Sequence, residues 1–223
     1  MRQFMRTLGP HFLGLALLIS SAACHFSDRP NGLSSLTDQP APTPRIMEYA
    51  SDLGMAWNPG FERGMWRTEI DDTRQAGPVH IVSEAQCPDR FRVLVTGAEQ
   101  SETIYVGTTQ YHRIDHQKWQ TQPLPMKHMI LNSCGKSSRP PYDPVRIRML
   151  ADQFTDVEVQ GPVLREMHGV ECREWTRTIP QFGKPLLVTT CYDTKTGAVV
   201  QSRVGNLITT NSWNVNISIK API

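Results

Sequence analysis

The spacing of apolar side chains changes character several times along the chain. From Ile46 to Ala56, the residues Ile46, Met47, Tyr49, Ala50, Leu53 and Gly54 recur at helical intervals, and Asn58-Pro59-Gly60 supplies a stop. Strand-like runs then follow at Met65 to Ile70, Val79 to Glu84, Phe91 to Thr96, Thr103 to Thr108 and Tyr111 to Ile114, separated by short segments of Gly, Pro, Asp and Gln. Their partly alternating, partly continuous pattern predicts a meandering antiparallel sheet with one well-buried face.

Gln120 to Pro141 is proline-rich and without period. After it, Asp143-Pro144 opens a helix with Asp as N-cap, Pro at the first helical position and an apolar stripe at Ile147, Leu150, Ala151 and Phe154. Strand signals return at Val157 to Gln160, Val170 to Thr178, Leu186 to Tyr192, Ala198 to Val204, Leu207 to Thr210 and Val215 to Ile219. A turn at Asp193 to Gly197 joins two of them, with Gly197 available for a left-handed backbone. The order of strands, helix, strands points to an α+β domain over residues 46 to 223: one antiparallel sheet with its helices on a single side.

If Val170 to Thr178 and Leu186 to Tyr192 form a hairpin around a loop from Ile179 to Lys184, Cys172 falls opposite Cys191 and Trp175 opposite Val188. A cross-strand disulfide follows, and Cys87 and Cys134 are left to pair with each other. No CxxC spacing occurs, so structural bridges are preferred to catalytic thiols or a zinc site.

The N-terminus changes the picture by placing the chain in a compartment. Arg2 and Arg6 precede an apolar run from Phe12 to Ile19 and then Ser20, Ser21, Ala22 and Ala23, in the order of an export signal. That run is well short of the ~20 residues a spanning helix needs. Ser21-Ala22-Ala23-Cys24 resembles a lipobox, with Ser where Leu is usual, so residues 1 to 23 read as a signal peptide and Cys24 as a lipidated anchor. The competing reading is ordinary cleavage after Ala23 and a soluble periplasmic protein. Cysteine parity favours the anchor, because it leaves four of the five cysteines for two bridges. His25 to Arg45, rich in Pro, Ser, Thr and Asp, reads as a tether, and His25 after the anchor suggests the outer membrane facing the periplasm. A net charge of +2 gives no reason to invoke nucleic acid.

Candidate chemistry is sparse. His112, Asp115 and His116 sit together near a turn and could be imagined around a metal, but polar residues gather at hairpin tips because tips are solvated. His80, His128 and His168 are isolated, and there is no nucleophile elbow, HExxH or glycine-rich phosphate loop. No enzyme activity, cofactor or metal is expected. Met55, Trp57, Met65, Trp66, Trp119, Met126, Met129, Met149, Met167 and Trp175 are either core or the lining of an adaptable apolar cavity.

Several stretches resemble the exported lipoprotein-carrier superfamily that includes LolA, LolB and the LppX/LprG-type lipoproteins. They are Cys87-Pro88-Asp89-Arg90-Phe91-Arg92, Glu102 to Gly107 leading to Tyr111-His112-Arg113, and Trp119 after Gln117-Lys118. Later come Asp143-Pro144, Asp156 to Gly161, Gly169 to Cys172, Tyr192 to Gly197 and Asn214 to Pro222. Residues 46 to 76 match poorly, the two bridges are not part of the pattern, and no apolar loop tip of the LolB kind is visible. The resemblance implies an unclosed half-barrel with helices on its concave side, and a cavity there that binds acyl chains without catalysis. Its lining is expected from Met65, Trp66, Val93, Val95, Ile104, Val106, Trp119, Ile147, Leu150, Phe154, Trp175 and Val188. The partner is then a lipid or acylated ligand. The alternative is a scaffold of the same fold, filled by its own side chains, that presents its surface to another envelope protein.

Overall fold

In the computed structural model, which describes residues 41–57, 59–73, 77–126, 128, 134, 141–181 and 184–222, the alternating segments assemble into one antiparallel sheet of eleven strands. The first six, β1 (Met65–Asp72), β2 (Val79–Gln86), β3 (Arg90–Thr96), β4 (Ser101–Val106), β5 (Thr109–Ile114) and β6 (Gln120–Pro123), form one meander. The second runs through β7 (Val159–Met167), β8 (Val170–Gln181), β9 (Lys184–Asp193), β10 (Val199–Val204) and β11 (Leu207–Ser212). The two join where β1 pairs with β11, from Arg67 opposite Ser212 to Asp72 opposite Leu207. The outer strands β6 and β7 do not meet, so the sheet is an unclosed half-barrel.

This topology sets a task for the chain between β6 and β7, which must pass from one edge of the sheet to the other, roughly 50 Å at the usual strand spacing. That crossing carries a helix, α3 (Pro144–Asp152), on the concave side, next to α1 (Pro44–Gly54). Both helices begin as their sequences prescribe. Thr43 Oγ1 accepts from Ile46 N at 3.3 Å and Asp143 Oδ1 accepts from Val145 N at 3.0 Å, each with Pro in the first turn. A short helix, α2 (Gly60–Arg63), occupies the segment where only a stop was expected, and Gly64 ends it at φ 76°. There a left-handed backbone makes glycine the fitting residue.

Three expectations are corrected. β6 lies in a region that lacks apolar period, because an edge strand exposed on both faces has none to show. β7 continues to Met167 past a bulge at Gly161, whose φ is 116° and where a Cβ would stand 2.6 Å from Glu174 O. Val215 to Ile219 is not a strand but an extended strap across the convex face, with Ile217 and Ile219 buried against Ile104. Its backbone is held by side chains: Ile219 N donates to Gln86 Oε1 at 2.9 Å, and Arg90 Nη1 donates to Ile219 O at 2.5 Å.

Both disulfides form, Cys172–Cys191 with Cα atoms 5.5 Å apart and Cys87–Cys134 at 5.7 Å. The hairpin register differs from the expected one by two residues, because pairing continues into the tip as far as Gln181 opposite Lys184. Cys172 therefore faces Asp193, Cys191 faces Glu174, and Trp175 faces Thr190 instead of Val188. A two-residue slip keeps every side chain on its face, and so the bridge survives the error.

The convex face carries a line of alternating charges across five strands. Arg67 on β1 donates to Glu84 Oε1 on β2 at 2.9 and 2.5 Å, and Arg92 on β3 lies 2.5 Å from Glu84 Oε2. Arg113 on β5 donates to Glu102 Oε2 on β4 at 3.1 and 2.6 Å, and its guanidinium lies 4.6 Å from the ring centre of Trp119.

Candidate functional site: the concave face of the sheet

Strand register decides which side chains reach the concave side. Trp175 there leads, through paired residues, to Thr190, Ser202, Thr209, Ile70, Ile81 and Val95. A neighbouring row runs Asn211, Thr68, Ser83, Val93, Thr103 and His112. The floor thus sets an apolar stretch, Ile70-Ile81-Val95, beside side chains bearing hydroxyl and amide groups. These polar groups are engaged laterally: Thr68 Oγ1 donates to Asn211 Oδ1 at 2.9 Å, Asn211 Nδ2 donates to Val199 O at 3.0 Å, and Thr103 Oγ1 lies 2.9 Å from His112 Nδ1.

Aromatic clusters flank this floor. On the side of the first meander, Trp66, Ala85, Phe91 and Tyr105 are buried together, and His128 from the crossing segment stacks 4.8 Å from Phe91. The Cys87–Cys134 bridge fixes the same segment to the turn after β2, so the crossing is tied to the concave side by a covalent link and a ring stack. Burial lowers the His128 pKa, which favours the neutral imidazole in the stack.

On the side of the second meander, α1 and α3 cover Trp175 and Tyr192. Tyr49 sits edge-on to Trp175 at 5.5 Å and to Phe154 at 5.2 Å. Trp175 Nε1 donates to Asp52 Oδ2 at 2.6 Å, Arg173 Nε lies 3.3 Å from the same oxygen, and Arg173 also pairs with Glu48. Desolvation raises the Asp52 pKa, opposed by the Trp175 hydrogen bond and Arg173. Tyr192 is shifted strongly upward by burial.

Of the residues expected to line a cavity, Trp66, Val93, Val95, Trp175 and Val188 lie on the concave face of the sheet, and Ile147, Leu150 and Phe154 lie in or beside the α1–α3 cluster above it. Met65, Ile104, Val106 and Trp119 do not join them. Val93 and Val95 pair with Thr103 and Ser101, so Ile104 and Val106 point to the opposite face, where they pack with Met65 and Trp119 under the strap. A depression of about 490 Å³ opens at the strand ends beside Asp71, Asp72, His80 and Thr96, and another of about 270 Å³ lies on the convex face beside Cys191 and Arg203. Neither is the acyl-chain cavity implied by the sequence.

His112, Asp115 and His116 do not form a metal cage. His112 is engaged with Thr103, while Asp115 has φ 50° and accepts from Gln100 N at 3.0 Å. Among the described residues no group of three or more His, Cys, Asp or Glu side chains is placed to hold a metal. Cys24, Met129 and the segment from His25 to residue 40 lie outside the described residues. No helix among the described residues is long and apolar enough to cross a membrane. Sequence reasoning missed the ring stack of His128 on Phe91 and Tyr105, and an isolated histidine in an aperiodic segment carries no signal that would have found it.

Strand order, the open edges and the helices on one side define this chain as an α+β half-barrel. Among solved structures it is similar to the Mycobacterium tuberculosis lipoprotein LppX, at 12% sequence identity over 79% of this chain and 97% of that one, with a TM-score of 0.44. No family model and no curated protein matches the chain.

Proposed function

We propose that this protein is a lipid-binding lipoprotein of the cell envelope, anchored through Cys24, which takes acyl chains along the concave face of its half-barrel and does no covalent chemistry on them. One observation carries the reading. Ile81 and Val95 are half-buried on the concave face and, like the buried Ile70 beside them, belong to none of the four apolar clusters that make up the core among the described residues. Ile70, Ile81 and Val95 pair in one row as an apolar strip between the two aromatic clusters, and burying its accessible part against hydrocarbon stabilises a complex in proportion to area, without a catalytic group. The anchor and tether would hold that face near its source of lipid, on the outer membrane if the residue after Cys24 acts as the sorting signal.

Native mass spectrometry tests this on a chain beginning at His25, which keeps every described helix and strand, exported to the periplasm and purified without detergent. The expected result is a stoichiometric lipid adduct, identified after organic extraction, that is lost when Ile81→Asn and Val95→Asn are combined. A bare protein mass that stays bare after incubation with phospholipid overturns the reading, and leaves a packed scaffold for an envelope protein partner.

A further inference from the structure

The helix α3 has two apolar sides. Ile147 and Ala151 face the core, while Val145 and Met149 are 67% and 63% exposed. At about 100° per residue, Val145 and Met149 lie roughly opposite Ile147 and Ala151. Tyr142, 66% exposed just before the N-cap, extends the outer stripe. Scattered surface apolar residues need no explanation. Here three of the seven large exposed apolar side chains among the described residues fall within eight consecutive positions.

Arg146 and Arg148, both exposed, stand about 80° to either side of that stripe. An apolar strip bordered by guanidinium groups, with a tyrosine at one end, has the chemistry of a helix lying in a membrane interface. The apolar side chains enter the headgroup–acyl boundary, the arginines reach lipid phosphates, and the phenol stays at headgroup level. Arg148 is shared with Asp152 at 3.0 Å, which leaves Arg146 as the principal contact for anionic headgroups.

Chain length is consistent with this occupant. α3 packs on α1, which begins at Pro44, and the nineteen residues from His25 to Thr43 can extend to roughly 65 Å. A domain anchored at Cys24 can therefore lay α3 on the bilayer that holds it.

We propose that the outer face of α3, centred on Tyr142, Val145 and Met149, is a docking surface for anionic phospholipid bilayers. The surface is separate from lipid capture on the concave face, and its test uses a chain that lacks Cys24.

The experiment is co-sedimentation of the chain beginning at His25 with vesicles of phosphatidylethanolamine and phosphatidylglycerol, and with vesicles of phosphatidylcholine. The protein is expected to sediment with the anionic vesicles. Val145→Asp with Met149→Asp should weaken partition at least about tenfold while thermal unfolding is unchanged. Arg146→Ala should weaken it about five-fold on anionic vesicles only. Wild-type protein that stays in the supernatant overturns the proposal and makes the stripe a protein contact. So does a double variant that sediments like the wild type. Lipid withdrawn into the concave face leaves a lipid-loaded protein in the supernatant, so this proposal and the carrier reading fail separately.

Discussion

The convex and concave faces of the sheet are built from the same strands by alternation, yet they are completed differently. On the convex side Glu84 is buried between two guanidinium groups, the strap lays Ile217 and Ile219 over Ile104, and Cys172 and Cys191 close a cluster with Val200. Polar groups there meet opposite charges, and apolar groups meet the chain's own residues. On the concave side, polar groups are satisfied sideways, Thr68 by Asn211 and Thr103 by His112, which leaves the apolar strip beside them outside the core clusters. One completed, one-sided buried face is enough to fix a sheet's register.

The largest effect expected from breaking this division is loss of the convex bridge. Replacing both Cys172 and Cys191 by Ala should cost about 3 kcal/mol, since the cysteines are 19 residues apart. Urea unfolding reads the loss, and lipid uptake well below the midpoint should persist. Concurrent loss of uptake in a folded variant would show that the two faces are not separable. Next in size is Glu84→Gln, which leaves Arg67 and Arg92 facing each other without the carboxylate. Breaking a fully buried pair costs about 3 to 5 kcal/mol. The arginine side chains here are 37% and 34% exposed, so solvent screening brings the expected loss down to about 2 kcal/mol. Ile81→Asn, on the concave strip, should by contrast cost about 1 kcal/mol or less. Equal losses at Glu84 and Ile81 would make the concave floor ordinary core and remove the comparison.

Much of the sheet was legible in the sequence because period-two burial is written in single residues: Trp66 and Ile70, or Phe91 and Val93, name their face without knowledge of a partner. The helix caps at Thr43 and Asp143 were local in the same sense, although only Asp143 had been read as a cap. What alternation cannot carry is the neighbour. Val215, Ile217 and Ile219 alternate as a strand does, but the period reports one-sided burial and is silent on whether a backbone ladder exists. Which face each candidate side chain takes was only partly legible for a related reason. Val95 and Ile104 look alike in sequence, and only the β3–β4 register, set by the turn between them, sends them to opposite faces. The exposed side of α3 drew no reading, because the stripe of Ile147, Leu150, Ala151 and Phe154 already accounted for the helix.

The smallest predicted effect sharpens the comparison at a second carboxylate, one that is only half-buried. Asp52, on the helix above the concave face, has one oxygen shared by an indole and by Arg173, where Glu84 has a guanidinium on each oxygen. Desolvation raises the Asp52 pKa above its ordinary 3.8, and Glu48 adds to the rise, against the lowering by Trp175 and Arg173. The folded protein therefore holds the Asp52 proton to higher pH than the unfolded chain does. Between those two values it binds more protons than the unfolded chain, and stability falls as pH rises. The contribution of the neutral carboxyl is fully present below 3.8 and is lost as pH climbs through the folded value. Asp52→Asn keeps an acceptor for the Trp175 indole and cannot ionise. Subtracting its unfolding free energy from that of the wild type should give a curve that declines from about pH 4 upward and then levels. Other carboxylates cancel in the difference. A flat curve would mean that Arg173 and the indole fully compensate the burial of Asp52, in which case this carboxylate is as completely satisfied as the charges of the convex face.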